Sequence, residues 1–308
     1  MSKRNYGKPA LTFEKQIEHL KDRGMQFHDQ DEALRQLSSI SYYRLSGYWF
    51  PFRKRTNNGH PSDKFLTDTA FDEVMRLYEF DRQLRSKVLD GIERIEVAIR
   101  TRLTYHLGHK YGAFGYINPE NFHPGFSHEK WLKTLLSETE RSSDEFIRHF
   151  QKSYNGFPIV PIWMQTEVMT FGSLAWLYKG MKNNAKEGIR DKEAISGYFG
   201  LHYKRLENWL RTLTYIRNVC AHHSRLWNRE LAIHPKKMSE PEWQPPLTPR
   251  LDRTFTILLI LRYLMRQSGN GDHWAEELTD LIRPIAENDA YRKSMGMPEN
   301  WEEHPLWK

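Results

Sequence analysis

The sequence is poor in cysteine and has no long apolar run. A single cysteine, Cys220, among 308 residues excludes an internal disulfide and a zinc site with several cysteine ligands, and it fits a reducing compartment. No stretch approaches the roughly 20 apolar residues that a membrane-spanning helix needs. The longest run, residues 255–261, ends at Arg262 and predicts a buried helix. Residues 1–6 lack the apolar segment of a signal peptide, so we expect a soluble, cytoplasmic protein without a membrane partner.

Strand-like alternation of apolar and polar residues is scarce, and no glycine-rich phosphate loop or paired-carboxylate signature is present. Apolar residues instead recur at intervals of three and four, which is typical of helices. The predicted helices cover residues 12–21, 69–109, 129–154, 163–181, 204–228 and 251–267. Gly91 lowers the stability of the second of these but need not end it. The pattern predicts a mainly α fold and does not favour a sheet.

Turn-forming residues suggest a division into three parts. Residues 1–68 form an aromatic-rich N-terminal segment, and residues 69–235 form a helical core. Residues 236–308 form a proline-containing connector and helices that pack on the core.

The charge of the chain favours an anionic partner. There are 46 lysines and arginines against 39 aspartates and glutamates, which gives a net charge of +7. Such an excess attracts polyanions, because neutralising phosphates releases counterions. Many basic proteins bind no nucleic acid, however, so charge alone leaves the partner undecided.

The segment from Lys204 to Arg229 carries the residues best suited to chemistry. On a helical wheel one side is apolar and comprises Leu206, Trp209, Leu210, Leu213, Ile216, Cys220 and Trp227. The opposite side comprises Lys204, Arg211, Tyr215, Asn218, His222, Arg225 and Arg229. A helix with one apolar and one basic face is ordinary in itself.

Three residues near the end of this segment are less ordinary. Arg217 falls within the apolar face. Because burying an unpaired guanidinium is costly, we expect it to pair with a carboxylate or to line a cleft that binds an anion. Asn218 lies one turn before His222 and can orient its imidazole, which can move a proton near neutral pH. A solvated face with one salt-bridged arginine is the simpler interpretation of the spacing alone.

Metal binding and cysteine chemistry fit the segment less well. His222 and His223 are adjacent and project about 100° apart, unlike the i, i+4 histidines of a zinc helix. We therefore expect no metal site and no cofactor. Cys220 lies on the apolar face, which favours a packing role over that of a nucleophile.

A longer pattern surrounds these residues. Residues 216–228, with the sequence Ile-Arg-Asn-Val-Cys-Ala-His-His-Ser-Arg-Leu-Trp-Asn, resemble the signature of the Abi-like abortive-infection family. Within them, Arg217-Asn218-x-x-x-His222 is similar to the R-x(4–6)-H motif of HEPN ribonucleases. Further similar blocks lie within residues 11–48, 78–100 and 161–174, so the resemblance covers residues 8–235.

The resemblance implies a HEPN-like helical bundle with additional N- and C-terminal helices, acting as a metal-independent RNA endonuclease. The 2′-hydroxyl of the RNA would attack its own phosphodiester, so the substrate would be RNA and not DNA. His222 would transfer the proton, Arg217 would stabilise the phosphate in the transition state, and Asn218 would position the two. The residues expected to bind RNA are Arg211, His223, Arg225 and Arg229.

The resemblance also implies a homodimer, because HEPN sites commonly form where two such helices meet. On a straight helix Arg217 and His222 project about 140° apart. They can share a phosphate only if Arg217 reaches around, if the helix deviates, or if a facing subunit supplies one of them, and we favour the last. Glu96, and beside it Glu93, are candidate acidic partners of Arg217. The alternative for Glu96 is an intrahelical pair with Arg100 at i+4.

Two functions remain open. The first is an RNA-cleaving toxin of phage defence, and the alternative is a non-catalytic RNA- or partner-binding protein of a toxin–antitoxin system. An antitoxin RNA or protein is a candidate partner in either case. The aromatic residues 42–52 either stack on unpaired bases or form core.

Overall fold

The computed structural model describes residue 7, residues 9–269 and residues 271–308. Over these residues the chain is mainly helical, with thirteen α-helices and four short strands, which confirms the predicted fold class. The chain forms two compact units, residues 1–83 and residues 84–308. The three-part division at residues 68 and 235 stays a prediction.

The first unit is built from short helices and one hairpin. Its elements are α1 (Phe13–Asp22), α2 (Gln30–Ser39), α3 (Tyr42–Trp49), β1 (Arg53–Arg55), β2 (Pro61–Phe65) and the first turns of α4 (Phe71–Tyr111). The two strands pair antiparallel, with Arg53 opposite Phe65. Thr12 caps α1 by accepting a hydrogen bond from the backbone of Lys15, at the start of the helix predicted over residues 12–21.

The aromatic run of residues 42–52 contributes two of its six rings to the core of this unit. Tyr48 and Trp49 are buried, and the Tyr48 hydroxyl donates a 2.6 Å hydrogen bond to the buried carboxylate of Asp81. Tyr42 packs edge-on against Trp49, whereas Tyr43 is 88% exposed. The buried rings are not available to stack on bases, so the core interpretation holds for them.

The second unit contains the rest of α4 and all later elements. They are α5 (His128–Arg141), α6 (Glu145–Ser153), α7 (Ile162–Val168), α8 (Phe171–Gly180), β3 (Asn183–Asn184), β4 (Ile189–Arg190), α9 (Asp191–Ser196), α10 (Tyr203–Ala221), α11 (Thr254–Gln267), α12 (Asp272–Ala286) and α13 (Asp289–Met295). Helix α11 is buried from Thr254 to Arg262, as its apolar run predicts.

The close packing of Trp274 explains why a glycine stands at position 91 of α4. A Cβ atom there would lie 3.1 Å from the indole of Trp274, which packs against this point of the helix. The Trp274 Nε1–H also donates to the backbone carbonyl of Lys87 at 2.9 Å. The helix continues through Gly91 to Tyr111, as predicted, because close contact with α12 compensates for the weak helix propensity of glycine.

Two predicted helices are each split in two. The region 129–154 divides into α5 and α6 at residues 142–144, and the region 163–181 divides into α7 and α8. At the second break Thr170 leaves the helical conformation and its side chain accepts from the backbone of Ser173, which starts a new helix. The hairpin and the β3–β4 pair are small antiparallel sheets that the sequence did not predict.

Among the described helices, none combines the length and the apolar character needed to cross a bilayer.

Candidate functional site

The apolar face of α10 anchors the site in the second unit. All seven residues predicted to face the core are buried. Six lie on α10, namely Leu206, Trp209, Leu210, Leu213, Ile216 and Cys220, and Trp227 lies beyond its end. Burial of each large apolar side chain contributes about 1.5–3 kcal/mol, so the orientation of α10 is strongly fixed.

Helix α10 ends at Ala221, seven residues before the predicted end. His222 is the C-cap, and His223 takes the left-handed conformation with φ 54°. The His223 N–H donates to Cys220 O and the Ser224 N–H donates to Val219 O, each at 2.9 Å, which is the Schellman pattern of helix termination. A glycine usually occupies the left-handed position, and no glycine marks this helix end in the sequence. The prediction of a helix to residue 228 is wrong.

Arg217 is exposed, which corrects its predicted place within the apolar face. Over the last turn of α10 the buried positions are Ile216, Val219 and Cys220, so the buried face has rotated relative to the start of the helix. The guanidinium therefore reaches solvent and needs no deeply buried carboxylate.

Asn218 and His222 are also exposed at this end of the helix. A guanidinium nitrogen of Arg217 donates to the Asn218 Oδ1 atom at 3.5 Å, a long contact. The helix is regular to Ala221, so Arg217 and His222 project about 140° apart. The structure thus places all three at the same end of α10 but does not aim Arg217 and His222 at the same point within one protomer.

Glu96 of α4 lies near this turn. Its carboxylate pairs with Arg100 Nη2 at 2.7 Å, which is the i+4 pair named as the alternative in the sequence. Arg100 also donates to the backbone carbonyls of Thr166 and Met169, at and just beyond the end of α7. Arg100 thus ties α4 to α7 and holds Glu96 in place.

The Glu96 carboxyl combines burial with neighbouring charges of both signs. Burial raises its pKa above the ordinary value, and this outweighs the lowering effects of Arg100 and of the nearby Arg217 guanidinium. Glu93, which is exposed, adds a small raising effect. Arg217 is therefore within electrostatic reach of Glu96, although among the described residues the two form no direct ion pair.

The remaining predicted RNA contacts occupy different surroundings. Arg211 is exposed on α10, one turn and a half before Arg217. Arg225 and Arg229 lie beyond the helix, so they do not continue its polar face as expected. The Arg229 Nε–H donates to the backbone carbonyl of Arg225 at 2.7 Å, which folds this segment on itself. His223 is exposed at the turn.

The polar face of α10 opens into a groove of about 800 Å³. Lys204, Arg211, Tyr215 and Asn218 line one side of it, and Asn218 is its point of contact with the candidate site. The facing residues of α8 follow helical spacing and comprise Gly172, Ala175, Trp176 and Lys179. The α8 side of the groove could not be predicted from the sequence, because spacing on one helix does not reveal which other helix it meets.

Metal ligation finds no geometric support in the part of the chain that the structure describes. It holds no group of three or more His, Cys, Asp or Glu side chains arranged to bind an ion.

The model of the Abi-like protein family matches residues 35–228, well over half of the chain. The chain belongs to the Abi-like family. The match includes α10, its Schellman end and Glu96, and membership links the chain to abortive infection, a form of phage defence. No curated protein and no solved structure gives a significant match.

Proposed function

We propose that this Abi-like protein is a metal-independent RNA endonuclease that acts as a toxin in abortive infection. The observation that carries the proposal is the joint exposure of Arg217, Asn218 and His222 at the C-terminal end of α10, where Asn218 also lines a basic groove. Arginine, amide and imidazole side chains are the groups that phosphodiester transfer needs. The proposal also draws on the resemblance of this segment to the HEPN motif.

In the proposed reaction His222 removes the proton of an RNA 2′-hydroxyl. The 2′-oxygen forms a bond to phosphorus, the bond from phosphorus to the 5′-oxygen breaks, and the imidazolium returns the proton to that oxygen. The products are a 2′,3′-cyclic phosphate and a 5′-hydroxyl. Arg217 stabilises the charge on the phosphate oxygens in the transition state.

We further propose that the active site is shared between two copies of the chain. Arg217 and His222 project apart in one protomer, and the groove reaches Asn218 but neither of them. A two-fold dimer that brings two α10 ends together would place Arg217 of one protomer against His222 of the other. Mixing a His222→Ala protein with an Arg217→Ala protein should then restore part of the cleavage.

Incubation of purified protein with RNA in the presence of EDTA tests the reaction. We expect fragments with 2′,3′-cyclic phosphate ends, and we expect His222→Ala to lower the cleavage rate by about 10²- to 10⁴-fold. His149→Ala, which removes an exposed histidine from α6, is the matched control and should cleave as the wild type does. Equal cleavage by His222→Ala would refute the site.

The alternative is a non-catalytic protein that binds RNA or an antitoxin. The separation of Arg217 and His222 within one protomer favours this function if no dimer forms. Binding of RNA without any cleavage, by a protein that stays monomeric, would support the alternative over the nuclease.

A further inference from the structure

The groove beside α10 is larger than a single phosphate requires. It has a volume of about 800 Å³ and runs between α8 and α10, with α9 and the segment after Trp227 contributing further residues. Along α10 it extends from Lys204 to Asn218. Fourteen helical steps correspond to about 21 Å, so the groove can hold several linked units of a polymer.

The groove has an excess of positive charge. It is lined by five cationic side chains and one carboxylate, that of Glu207. Lys192 pairs with Glu207 at 2.7 Å, which neutralises both. The other cations are Lys179, Lys204, Arg211 and Lys236, and none of them has an acidic partner among the described residues. Four uncompensated charges around one cavity favour a ligand with several negative charges.

Aromatic rings interleave with these charges. His123, Trp176, Tyr203 and Tyr215 line the same cavity, and all but His123 are only half-buried. Trp176 is held by an edge-on contact with Phe126, with ring centroids 6.1 Å apart. Rings beside cations bind single-stranded nucleic acid well, because bases stack on the rings while lysine and arginine contact the phosphates.

We propose that this groove binds the unpaired RNA strand that leads to the scissile phosphate. The proposal rests on the proposed function, since it extends the substrate from the site at His222. The cations at Lys204 and Arg211 lie on the same face of α10 as Asn218, so a strand that follows them arrives one helical turn from His222. Bases within a duplex are already stacked on each other, so they cannot stack on the aromatic side chains of the groove.

Binding is measured in the catalytically inactive His222→Ala background, so that the result does not depend on cleavage. The probe is a fluorescein-labelled RNA of about 12 nucleotides without self-complementarity, and anisotropy gives its affinity over a range of KCl concentrations. Lys204→Ala and Arg211→Ala should each weaken binding and reduce the slope of log affinity against log salt by about 0.7, the value expected for one phosphate contact with a single strand. Lys133→Ala, an exposed lysine of α5 outside the groove, is the matched control.

The contribution of the aromatic side chains to RNA binding is tested separately. Trp176→Ala should weaken binding of the single strand by roughly 5- to 150-fold, which corresponds to the loss of one base stack, without changing the salt slope. Trp176→Phe should recover part of the affinity, which a mere folding defect would not predict. A duplex of the same sequence should bind more weakly and should not respond to Trp176→Ala.

Several outcomes would overturn the groove proposal. They are a salt slope in Lys204→Ala and Arg211→Ala equal to that of Lys133→Ala, a duplex bound as tightly as the single strand, or a groove that binds an acidic polypeptide but not the single-stranded RNA. Failure of the proposed nuclease looks different. It would appear as intact groove binding by a wild-type protein that leaves no cyclic phosphate ends.

Discussion

Two carboxylates have opposite surroundings: Asp191, which contacts α4, and Glu96, which lies within it. Asp191, at the start of α9, is fully buried and accepts hydrogen bonds from His106, Lys110 and Tyr111 of α4. Burial disfavours its charge, but these donors outweigh burial and lower its pKa to about 2. Glu96 has a single guanidinium in direct contact, which it shares with two backbone carbonyls, and its pKa is raised.

The difference separates a carboxylate that stabilises the fold from one that costs stability when it is charged. A carboxylate surrounded by donors is stabilised in its charged form and fixes the helices that supply the donors. A carboxylate with too few donors costs stability when it is charged, and such groups are more common at functional sites. Asp191 therefore fixes α9 to α4, whereas Glu96 faces the turn that carries Arg217.

The largest expected effect is on stability, from Asp191→Asn. The drop in the Asp191 pKa from 3.8 to about 2 corresponds to about 2 kcal/mol of unfolding free energy at neutral pH, and the amide loses most of it. Urea denaturation at pH 7 measures the change. RNA cleavage per folded molecule should stay at the wild-type level. An unfolding curve for Asp191→Asn equal to that of the wild type would show that Asp191 does not stabilise the fold.

Glu96→Gln should have the converse effect. The amide still accepts a hydrogen bond from Arg100 but removes the negative charge that faces Arg217, so we expect cleavage to fall about tenfold, or about 1.4 kcal/mol in activation free energy. Because burial already penalises the charged form, stability should change by less than about 1 kcal/mol. Glu140→Gln on α5 is the control for a lost surface charge. A large stability loss with unchanged cleavage would assign Glu96 to the fold.

The two carboxylates should also give opposite responses to pH. The Asp191 contribution is complete above about pH 4 and is lost as the pH falls towards its folded pKa of about 2, with about 1 kcal/mol gone by pH 3. The raised pKa of Glu96 has the other sign, because its cost to stability appears as the pH rises above 4.5. Urea denaturation at several pH values should show a smaller acid loss in Asp191→Asn than in the wild type. Parallel curves would contradict this assignment.

The smallest expected effect comes from Arg100→Lys. Lysine keeps the charge but lacks the planar guanidinium that reaches Glu96 and the carbonyls of Thr166 and Met169 together, so stability should fall by about 0.5–1 kcal/mol. Arg94→Lys, which changes an exposed i+4 pair with Asp90 on the same helix, should have almost no effect. Equal results for the two variants would show that Arg100 acts only through its charge.

The sequence predicted well what depends on local periodicity. The core residues of α10, the long helix α4 and the start of α1 follow from spacing and from residue type at a single element. The interruption at Thr170 could have been read from its capping side chain, but the apolar residues on either side concealed it.

Long-range features could not be read in this way. The exposure of Arg217 depends on how the buried face of α10 rotates against its neighbours, and the groove depends on α8 facing α10. The same holds for Asp191, whose donors lie some 80 residues earlier in the chain. The roles of Arg217, Asn218 and His222 stay predictions that the experiments above address.

The left-handed backbone at His223 has a consequence for genetics. A residue other than glycine in this conformation costs about 1–2 kcal/mol, and the turn that it closes sets the direction of the neighbouring His222. If expression of the protein halts growth, as the proposed function requires, selection for survivors should yield inactivating substitutions at residues 217 and 222. They should also arise at 223, where a β-branched residue such as valine would open the turn without touching a reacting group. Sequencing of survivors would reveal substitutions at residue 223 that inactivate the protein by changing its backbone conformation.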